Sequence, residues 1–206
     1  RPFVAILGGA KVSDKIGVIE SLLPKVDAIL IGGAMAFTFL ASKGMRVGDS
    51  LCERDKLEIA KALLEKSAGR IHLPIDAVCA AKLEANVPTQ VIAGEIGSGL
   101  AGFDIGPGTV AAFKDVLETA KTVVWNGPMG VFETPPFDSG TLAIAKALAD
   151  ATARGAITII GGGDSSAAVE AAGLADEMTH ISTGGGASLE FLEGKPFATI
   201  ELLDEA

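Results

Sequence analysis

Two lysines that lie four positions apart, Lys11 and Lys15, are the first residues whose chemistry stands out in this sequence. They follow Gly8-Gly9 and open a segment whose apolar residues have helical spacing. Like charges at this spacing repel one another, and both lysines would lie near the positive end of the helix dipole. A bound anion would offset both penalties. The alternative is a pair of solvated lysines that Asp14 partly neutralises.

Asp164 and Glu133 are candidate contacts for other parts of an anionic ligand. Asp164 follows three glycines and precedes Ser165 at the predicted start of a helix. It could cap that helix. It could instead hold Mg²⁺, which proteins usually bind through one or two carboxylates together with phosphate oxygens, and Ser165 could then provide the cap. Glu133 is either a surface charge or an acceptor for the two hydroxyl groups of a ribose.

Glycine-containing turns follow five of the predicted strands. Because the carboxyl ends of parallel strands meet at one edge of a sheet, these turns would surround the crevice in which such folds bind ligands. Glycine lets backbone N–H groups approach a ligand, and a helix N-terminus follows each turn. Tight strand-to-helix turns favour glycine in any case, but five of them favour a phosphate- or nucleotide-sized ligand. The turns are Gly8-Gly9, Gly32-Gly33, Asn126-Gly127-Pro128, Gly161-Gly162-Gly163 and Thr183-Gly184-Gly185-Gly186.

The elements that must position these residues are short apolar runs alternating with helical segments. The runs are rich in β-branched residues and do not alternate in polarity, which is typical of strands buried on both faces. The predicted strands are Phe3–Leu7, Ala28–Ile31, 71–73, 122–125, 157–160 and His180–Ser182. The predicted helices are 12–23, 53–68, 107–120, 138–154, 165–172 and 187–192. The stretch 86–108, rich in Gly and Pro, predicts a long loop with a short strand at Gln90–Ala93.

This alternation predicts an α/β fold, a doubly wound, Rossmann-like parallel sheet of about six strands with helices on both faces. No linker or repeat divides the chain, so we expect residues 1–206 to form a single domain. The opening residues Arg1-Pro2-Phe3 run straight into a strand, as they would in a chain cut from a longer one.

Composition excludes several classes of function. A net charge of −9 argues against a nucleic-acid binder, which needs a basic face. No apolar run reaches the ~20 residues of a membrane-spanning helix, so we expect no membrane contact. The two cysteines form no C-x-x-C motif, which predicts reduced thiols in a cytoplasmic protein.

Two common nucleotide motifs do not explain the pattern. The phosphate-binding motif G-x-x-x-x-G-K-[ST] is absent from the sequence. A G-x-G-x-x-G motif occurs at 97–102, but the residues after it, 103–107, cannot open a helix directly, as a dinucleotide fingerprint requires. A nicotinamide-dependent oxidoreductase built on this motif is therefore a secondary hypothesis.

Five blocks of the sequence together resemble the nucleotide-binding domain of the phosphoglycerate kinases, in that family's order and across nearly the whole chain. The blocks are Gly8-Gly9-Ala10-Lys11-Val12-Ser13-Asp14-Lys15-Ile16, Gly32-Gly33-Ala34-Met35-Ala36, Trp125-Asn126-Gly127-Pro128-Met129-Gly130-Val131-Phe132-Glu133, Gly161-Gly162-Gly163-Asp164-Ser165 and Ser182-Thr183-Gly184-Gly185-Gly186-Ala187-Ser188-Leu189-Glu190. The family's N-terminal half, which binds the acid substrate, is missing. Ser165 replaces the family's usual Thr, and Phe197-Ala198-Thr199 replaces its usual Leu-Pro-Gly.

The resemblance implies a role for each matching residue. Lys15 would contact the nucleotide phosphates and the transferring phosphoryl group, with Lys11 close by. The remaining residues would contact the adenine, the ribose or the phosphates of the nucleotide. They are Gly9, Ala10, Gly32, Gly33, Gly102, Phe103, Asn126, Pro128, Val131, Glu133, Gly162, Gly163 and Ser165. Asp164 would hold Mg²⁺, and Gly184, Gly185 and Gly186 would offer backbone N–H groups to the phosphoryl group in flight.

The function that the resemblance implies is glycolytic phosphoryl transfer between ATP and 3-phosphoglycerate. On this hypothesis the chain is a monomer that binds ATP or ADP with Mg²⁺. It would meet 3-phosphoglycerate or 1,3-bisphosphoglycerate only with the missing N-terminal domain, and would be nearly inactive alone. The alternative is a stand-alone nucleotide-binding module without catalysis.

Overall fold

Parallel strands form the centre of the fold, as the unbroken apolar runs predict. The computed structural model describes residues 1–182, 184, 190 and 192–194. Within these residues, six strands form a parallel sheet: β1 (Phe3–Leu7), β2 (Ala28–Ile31), β3 (Ile71–His72), β7 (Thr122–Asn126), β8 (Ile157–Gly161) and β9 (His180–Ser182). Their order in the sheet is β3-β2-β1-β7-β8-β9. The predicted doubly wound parallel sheet is confirmed.

Helices cover both faces of this sheet because successive side chains of a strand point to opposite sides. The helices are α1 (Ile16–Leu22), α2 (Met35–Ser42), α3 (Leu57–Ser67), α4 (Pro107–Glu118), α5 (Ser139–Ala153) and α6 (Gly163–Ala171). In β1, Val4 belongs to the core packed against α4 and α5, whereas Ala5 belongs to the core packed against α1, α2 and α3. Both cores are closed to solvent, which anchors the strand ends that carry the candidate site.

A small antiparallel sheet lies beside the main one and was not predicted as such. Its order is β5-β4-β6, formed by β4 (Asp76–Ala80), β5 (Gln90–Ala93) and β6 (Ala101–Ile105). The prediction of a loop across 101–105 was therefore wrong, although the short strand at Gln90–Ala93 is confirmed. A separate apolar cluster that includes Phe37, Ala77 and Cys79 packs beneath this sheet.

The helix predictions differ from the structure in two further ways. No helix was predicted at α2, whose buried residues lie all around the helix instead of along one stripe. The first helix begins at Ile16 and not at residue 12, so Lys11 and Lys15 lie in the turn before it. The predicted helix at 187–192 falls largely outside the described residues, as do Thr183 and the tail from 195 onward. In the described part of the chain, no helix is long and apolar enough to cross a membrane.

Candidate functional site

The carboxyl ends of the central strands stop at the same level. Leu7 pairs with Ile31 on one side and with Asn126 on the other, and Asn126 pairs in turn with Gly161. The turns that leave these strands therefore meet along one edge of the sheet, which is where ligands bind in this class of fold.

Close backbone contacts between the turns require glycine at this edge. Gly8 N donates a hydrogen bond to Asn126 O at 3.0 Å, and Gly9 N donates one to Pro128 O at 3.0 Å. A Cβ at Gly8 would lie 2.1 Å from Pro128 O, and one at Gly127 would lie 2.2 Å from Gly8 O. No side chain fits at either position, so two turns far apart in sequence can hold each other in place.

Two adjoining cavities open at this edge and share Gly9, Ala10, Pro128 and Asp164. The first, the polar cavity, has a volume of about 340 Å³. The second, the apolar cavity, has a volume of about 320 Å³. The polar cavity is also lined by Gly8, Lys11, Asp14, Lys15, Asn126, Gly127, Gly162, Gly163 and Ser165. The apolar cavity is also lined by Gly33, Ala34, Leu51, Leu83, Gly102, Phe103, Gly130, Val131 and Glu133.

Together the two cavities form one elongated cleft with chemically different ends. The apolar end offers the apolar side chains of Leu51, Phe103 and Val131. The polar end offers two lysines and an amide, together with two carboxylates. A ligand with a planar ring at one end and negative charge at the other is complementary to such a cleft.

Lys15 is the central cation of the polar cavity. Only 7% of the residue is exposed, and its Nζ donates a hydrogen bond to Asn126 Oδ1. Burial lowers the pKa of Lys15, while the negative charges of Asp14, Asp164 and Glu193 act in the opposite direction. A poorly hydrated ammonium group beside an open cavity would gain from a bound anion.

Asn126 holds this lysine in position. Its Nδ2 donates a hydrogen bond to Gly161 O at 2.8 Å, which leaves Oδ1 facing Lys15. Asn126 is 2% exposed, so the surrounding side chains prevent its amide group from rotating. The predicted binding residue is thus located between the lysine and the turn before α6.

Asp164 lies in the first turn of α6 and is exposed to both cavities. The N-cap of α6 is Gly162, and no side chain caps it, so the capping alternatives for Asp164 and Ser165 were wrong. Instead, Ser165 is fully buried and its Oγ accepts a hydrogen bond from Gly127 N at 2.6 Å. Asp164 is left free of a capping role, as a metal ligand would need to be.

The donor set of the cleft is compatible with Mg²⁺ bound partly by a ligand. Among the described residues, no group of three or more His, Cys, Asp or Glu side chains could hold a metal ion alone. Mg²⁺ commonly takes one or two carboxylates and completes its shell with phosphate oxygens and water. Asp164 and Asp14 both line the polar cavity and could supply those carboxylates.

Most predicted site residues line the cleft, with a few exceptions. Gly32 is buried against Met129, whose Sδ would lie 2.4 Å from an added Cβ, and it lines neither cavity. Gly184 is exposed and lines neither cavity. Gly185 and Gly186 lie outside the described residues.

Leu51 and Leu83 both line the apolar cavity, although no pattern in the sequence predicts a role for them. They are 54% and 45% exposed, and no periodic pattern distinguishes them from other surface leucines. The G-x-G-x-x-G segment at 97–102 contributes only Gly102 to the cleft. It leads into β6 and not into a helix, which removes the basis of the nicotinamide hypothesis.

Comparison with known proteins gives consistent matches. A family model described as phosphoglycerate kinase matches residues 1–195. The phosphoglycerate kinase of Chlorobaculum tepidum is 57% identical over 209 residues, covering 100% of this chain and 53% of the relative. That of Limosilactobacillus reuteri is 58% identical over 205 residues, covering 100% of this chain and 51% of the relative. The chain therefore spans about half the length of the curated relatives it matches.

Solved structures agree with these matches. The phosphoglycerate kinase structure from Coxiella burnetii superimposes with a TM-score of 0.91 at 44% identity, covering 95% of this chain and 51% of that one. The structure from Pyrococcus horikoshii superimposes with a TM-score of 0.83 at 32% identity, covering 98% of this chain and 51% of that one.

Proposed function

Because the chain belongs to the phosphoglycerate kinase family, we propose that it is the half that binds ATP or ADP in the two-ended cleft. The observation that carries this proposal is the junction of the cavities: one continuous surface runs from Val131 and Phe103 to Lys15. The adenine would lie at the apolar end, and the phosphates would lie at the polar end. Glu133 would accept hydrogen bonds from the ribose hydroxyls.

The polar end would act on the phosphates mainly through charge and position. Lys15 is already desolvated and fixed by Asn126, so it would neutralise phosphate charge without first reorganising. Lys11 would add a second, more mobile positive charge, because its side chain is exposed. When bound by Asp164, Mg²⁺ would offset further negative charge on the phosphate oxygens.

We further propose that the complete enzyme transfers a phosphoryl group between ATP and 3-phosphoglycerate in glycolysis. The match to the phosphoglycerate kinase family supports this proposal. The acid substrate would be bound by an N-terminal half, because this chain spans about half of its relatives. The isolated chain would bind nucleotide but turn over little. Backbone N–H groups of Gly184, Gly185 and Gly186 remain predicted contacts of the transferring group.

A monomeric state and a cytoplasmic location complete the proposal. The location is supported by Cys52 and Cys79, which are both free thiols, since such thiols are typical of reducing compartments. The monomeric state stays a prediction from the resemblance, and sedimentation of the isolated chain would measure it.

Calorimetric titration with Mg-ADP tests the nucleotide site. We expect saturable binding that Lys15→Ala and Asp164→Ala each weaken by tenfold or more. Lys15→Ala removes a hydrogen bond to a charged group, which contributes about 1.5–3 kcal/mol, and Asp164→Ala removes the carboxylate that would hold Mg²⁺. Lys25→Ala and Asp115→Ala are matched controls on surfaces outside the cleft, and both should leave the affinity unchanged. Equal affinities for all five proteins would contradict the proposal.

A turnover assay tests the proposed division of labour. The chain alone should show negligible phosphoryl transfer from ATP to 3-phosphoglycerate, and adding an N-terminal half from a relative should restore part of it. Full turnover by the chain alone would show that the missing half is not needed. Nucleotide binding without restored turnover would favour a stand-alone binding module.

A further inference from the structure

The turn that carries both lysines of the polar cavity is held from outside by one carboxylate. Ser13 lies midway between Lys11 and Lys15. Its Oγ donates a hydrogen bond to Glu53 Oε1 at 2.6 Å, and its backbone N donates one to Glu53 Oε2 at 3.1 Å. Both oxygens of the carboxylate therefore accept hydrogen bonds from the turn, forty positions away in the sequence.

The electrostatics of Glu53 agree with a committed hydrogen-bonding role. Burial acts to raise the pKa of Glu53, but hydrogen bonds from Ser13 and from the backbone of Val12 outweigh it, and the pKa lies below its ordinary value. The group is therefore ionised at neutral pH and remains a strong acceptor for the turn.

Glu53 is itself fixed to the core of the molecule. Its backbone N donates a hydrogen bond at 3.0 Å to Thr38 Oγ1, and Thr38 is 1% exposed within α2. Leu51, two residues earlier, lines the apolar cavity. The short segment 51–53 thus lines the apolar end of the cleft through Leu51. Through Glu53 it holds Ser13, which lies between the two lysines of the polar end.

We propose that Glu53 is a positioning residue for the proposed nucleotide site, which holds the turn from Lys11 to Lys15 in the geometry that receives the phosphates. The inference rests on the proposed function. Without this anchor, the turn keeps few of its own backbone hydrogen bonds, of which Lys15 N to Val12 O at 2.9 Å is one. Ordering it would then fall to the ligand and reduce affinity.

Electrostatic repulsion alone predicts the opposite change in affinity for Mg-ADP when Glu53 is neutralised. Glu53 is a negative charge near a site for an anion, so its removal should strengthen phosphate binding if only electrostatics mattered. A positioning role predicts weaker binding despite the loss of that repulsion. The direction of the change in affinity therefore separates the two explanations.

The experiment compares Mg-ADP with adenosine binding in the wild-type chain and in Glu53→Gln. The glutamine side chain is neutral and has one oxygen acceptor instead of two, so the pair of charge-assisted hydrogen bonds from Ser13 is weakened. We expect the Kd for Mg-ADP to rise about fivefold to twentyfold, while the Kd for adenosine changes less than about twofold. Glu95→Gln is the matched control, because Glu95 also accepts a backbone and a side-chain hydrogen bond, from Arg46, outside the cleft.

A double-mutant cycle with Ser13→Ala tests whether the effect passes through the observed contact. Ser13→Ala alone should weaken Mg-ADP binding several-fold, and adding Glu53→Gln should then have little further effect. The inference is overturned if Glu53→Gln strengthens Mg-ADP binding or leaves it unchanged. It is also overturned if adenosine is weakened equally, or if the two substitutions act independently.

Amide hydrogen exchange separates failure of this inference from failure of the proposed function. Without any nucleotide, exchange at residues 12–14 should be faster in Glu53→Gln than in the wild type, whereas Glu95→Gln should not change it. A wild-type chain that binds no nucleotide contradicts the proposed function. Unchanged exchange at 12–14 contradicts the role of Glu53 whether or not nucleotide binds.

Discussion

Asp104 makes the stability of this fold depend on pH near neutrality. The residue lies in β6, directly after the cleft residues Gly102 and Phe103, and is 3% exposed. Its Oδ2 accepts a hydrogen bond from Gly140 N at 2.6 Å, and its Oδ1 accepts one from Ile105 N at 2.9 Å. Burial raises the pKa of Asp104 to about 7, because these two hydrogen bonds do not compensate for the lost hydration.

The sign and size of the effect follow from linkage between protonation and folding. The ordinary pKa of an aspartate is about 3.9, so between about pH 4 and pH 7 the folded state binds more protons at Asp104 than the unfolded state. Stability from this group is therefore fully present below the unfolded pKa and is lost as the pH rises through the folded pKa. From pH 5 to pH 8 the loss amounts to about 3 kcal/mol.

Urea denaturation of the wild type and Asp104→Asn at pH 5, 6, 7 and 8 measures the pH-dependent contribution of Asp104 to the free energy of unfolding. Asparagine does not titrate, so the difference in the free energy of unfolding, wild type minus variant, should fall by about 3 kcal/mol across the series. Carboxylates whose pKa is lowered, such as Asp27 and Glu95, titrate below this window. Contributions common to both proteins cancel in the difference.

Parallel curves for the two proteins would refute the reasoning. They would mean that Asp104 keeps one protonation state from pH 5 to pH 8 in the folded chain. A constant offset between the curves is compatible with the argument only if the slope of the difference is present as well, since loss of one hydrogen bond from Gly140 or Ile105 gives a pH-independent change.

Three further predictions concern turns, a helix start and the cysteines. Gly127→Ala should lower the free energy of unfolding, measured by urea titration, by about 3 kcal/mol or more, because the added Cβ clashes and the φ is +96°. The control Gly155→Ala, with a φ of +87° and open space around it, should lower it by about 1 kcal/mol, and equal losses would contradict the packing argument. Asp76→Asn should lower the free energy of unfolding by about 1–3 kcal/mol in a urea titration at pH 7, because the carboxylate accepts hydrogen bonds from two backbone N–H groups at the start of α4. A loss below about 0.5 kcal/mol would contradict this prediction. Burial raises the pKa of Cys79 to about 11, so Ellman's reagent should label only Cys52 in the native chain. Labelling of a Cys52→Ala variant at the wild-type rate would contradict this prediction.

Local pattern was sufficient to predict the main sheet and the edge at which the candidate site residues meet. The apolar runs identified the strands of the parallel sheet because the central strands β1, β2 and β7 are buried on both faces, so that each is recognised without its partner. Parallel strands also bring their carboxyl ends to one edge. The prediction that Lys15, Asn126 and Asp164 lie near one another followed from topology, and all three line the polar cavity.

Local pattern did not predict elements whose burial or pairing depends on segments distant in the sequence. Helix α2 is enclosed on most sides, with Met35, Phe37 and Phe39 all buried, so it lacks the apolar stripe from which helices are recognised. The antiparallel sheet pairs β4 with β6, which are separated by β5 and a glycine-rich stretch. Its partners are therefore distant in sequence, and β6 was hidden in a predicted loop.

The amino-acid sequence by itself determined the strands of the parallel sheet, the turns that need glycine and the charges of the candidate phosphate end. Only the tertiary structure decided that Leu51 forms part of the apolar end and that Ser165 holds a turn instead of a helix end. It also decided that Glu53 anchors the turn with the lysines and that Asp104 is a buried support. The reason is physical: periodicity and turn preference depend on neighbours along the chain. The desolvation and hydrogen bonding of a carboxylate depend instead on segments that meet only when the chain has folded.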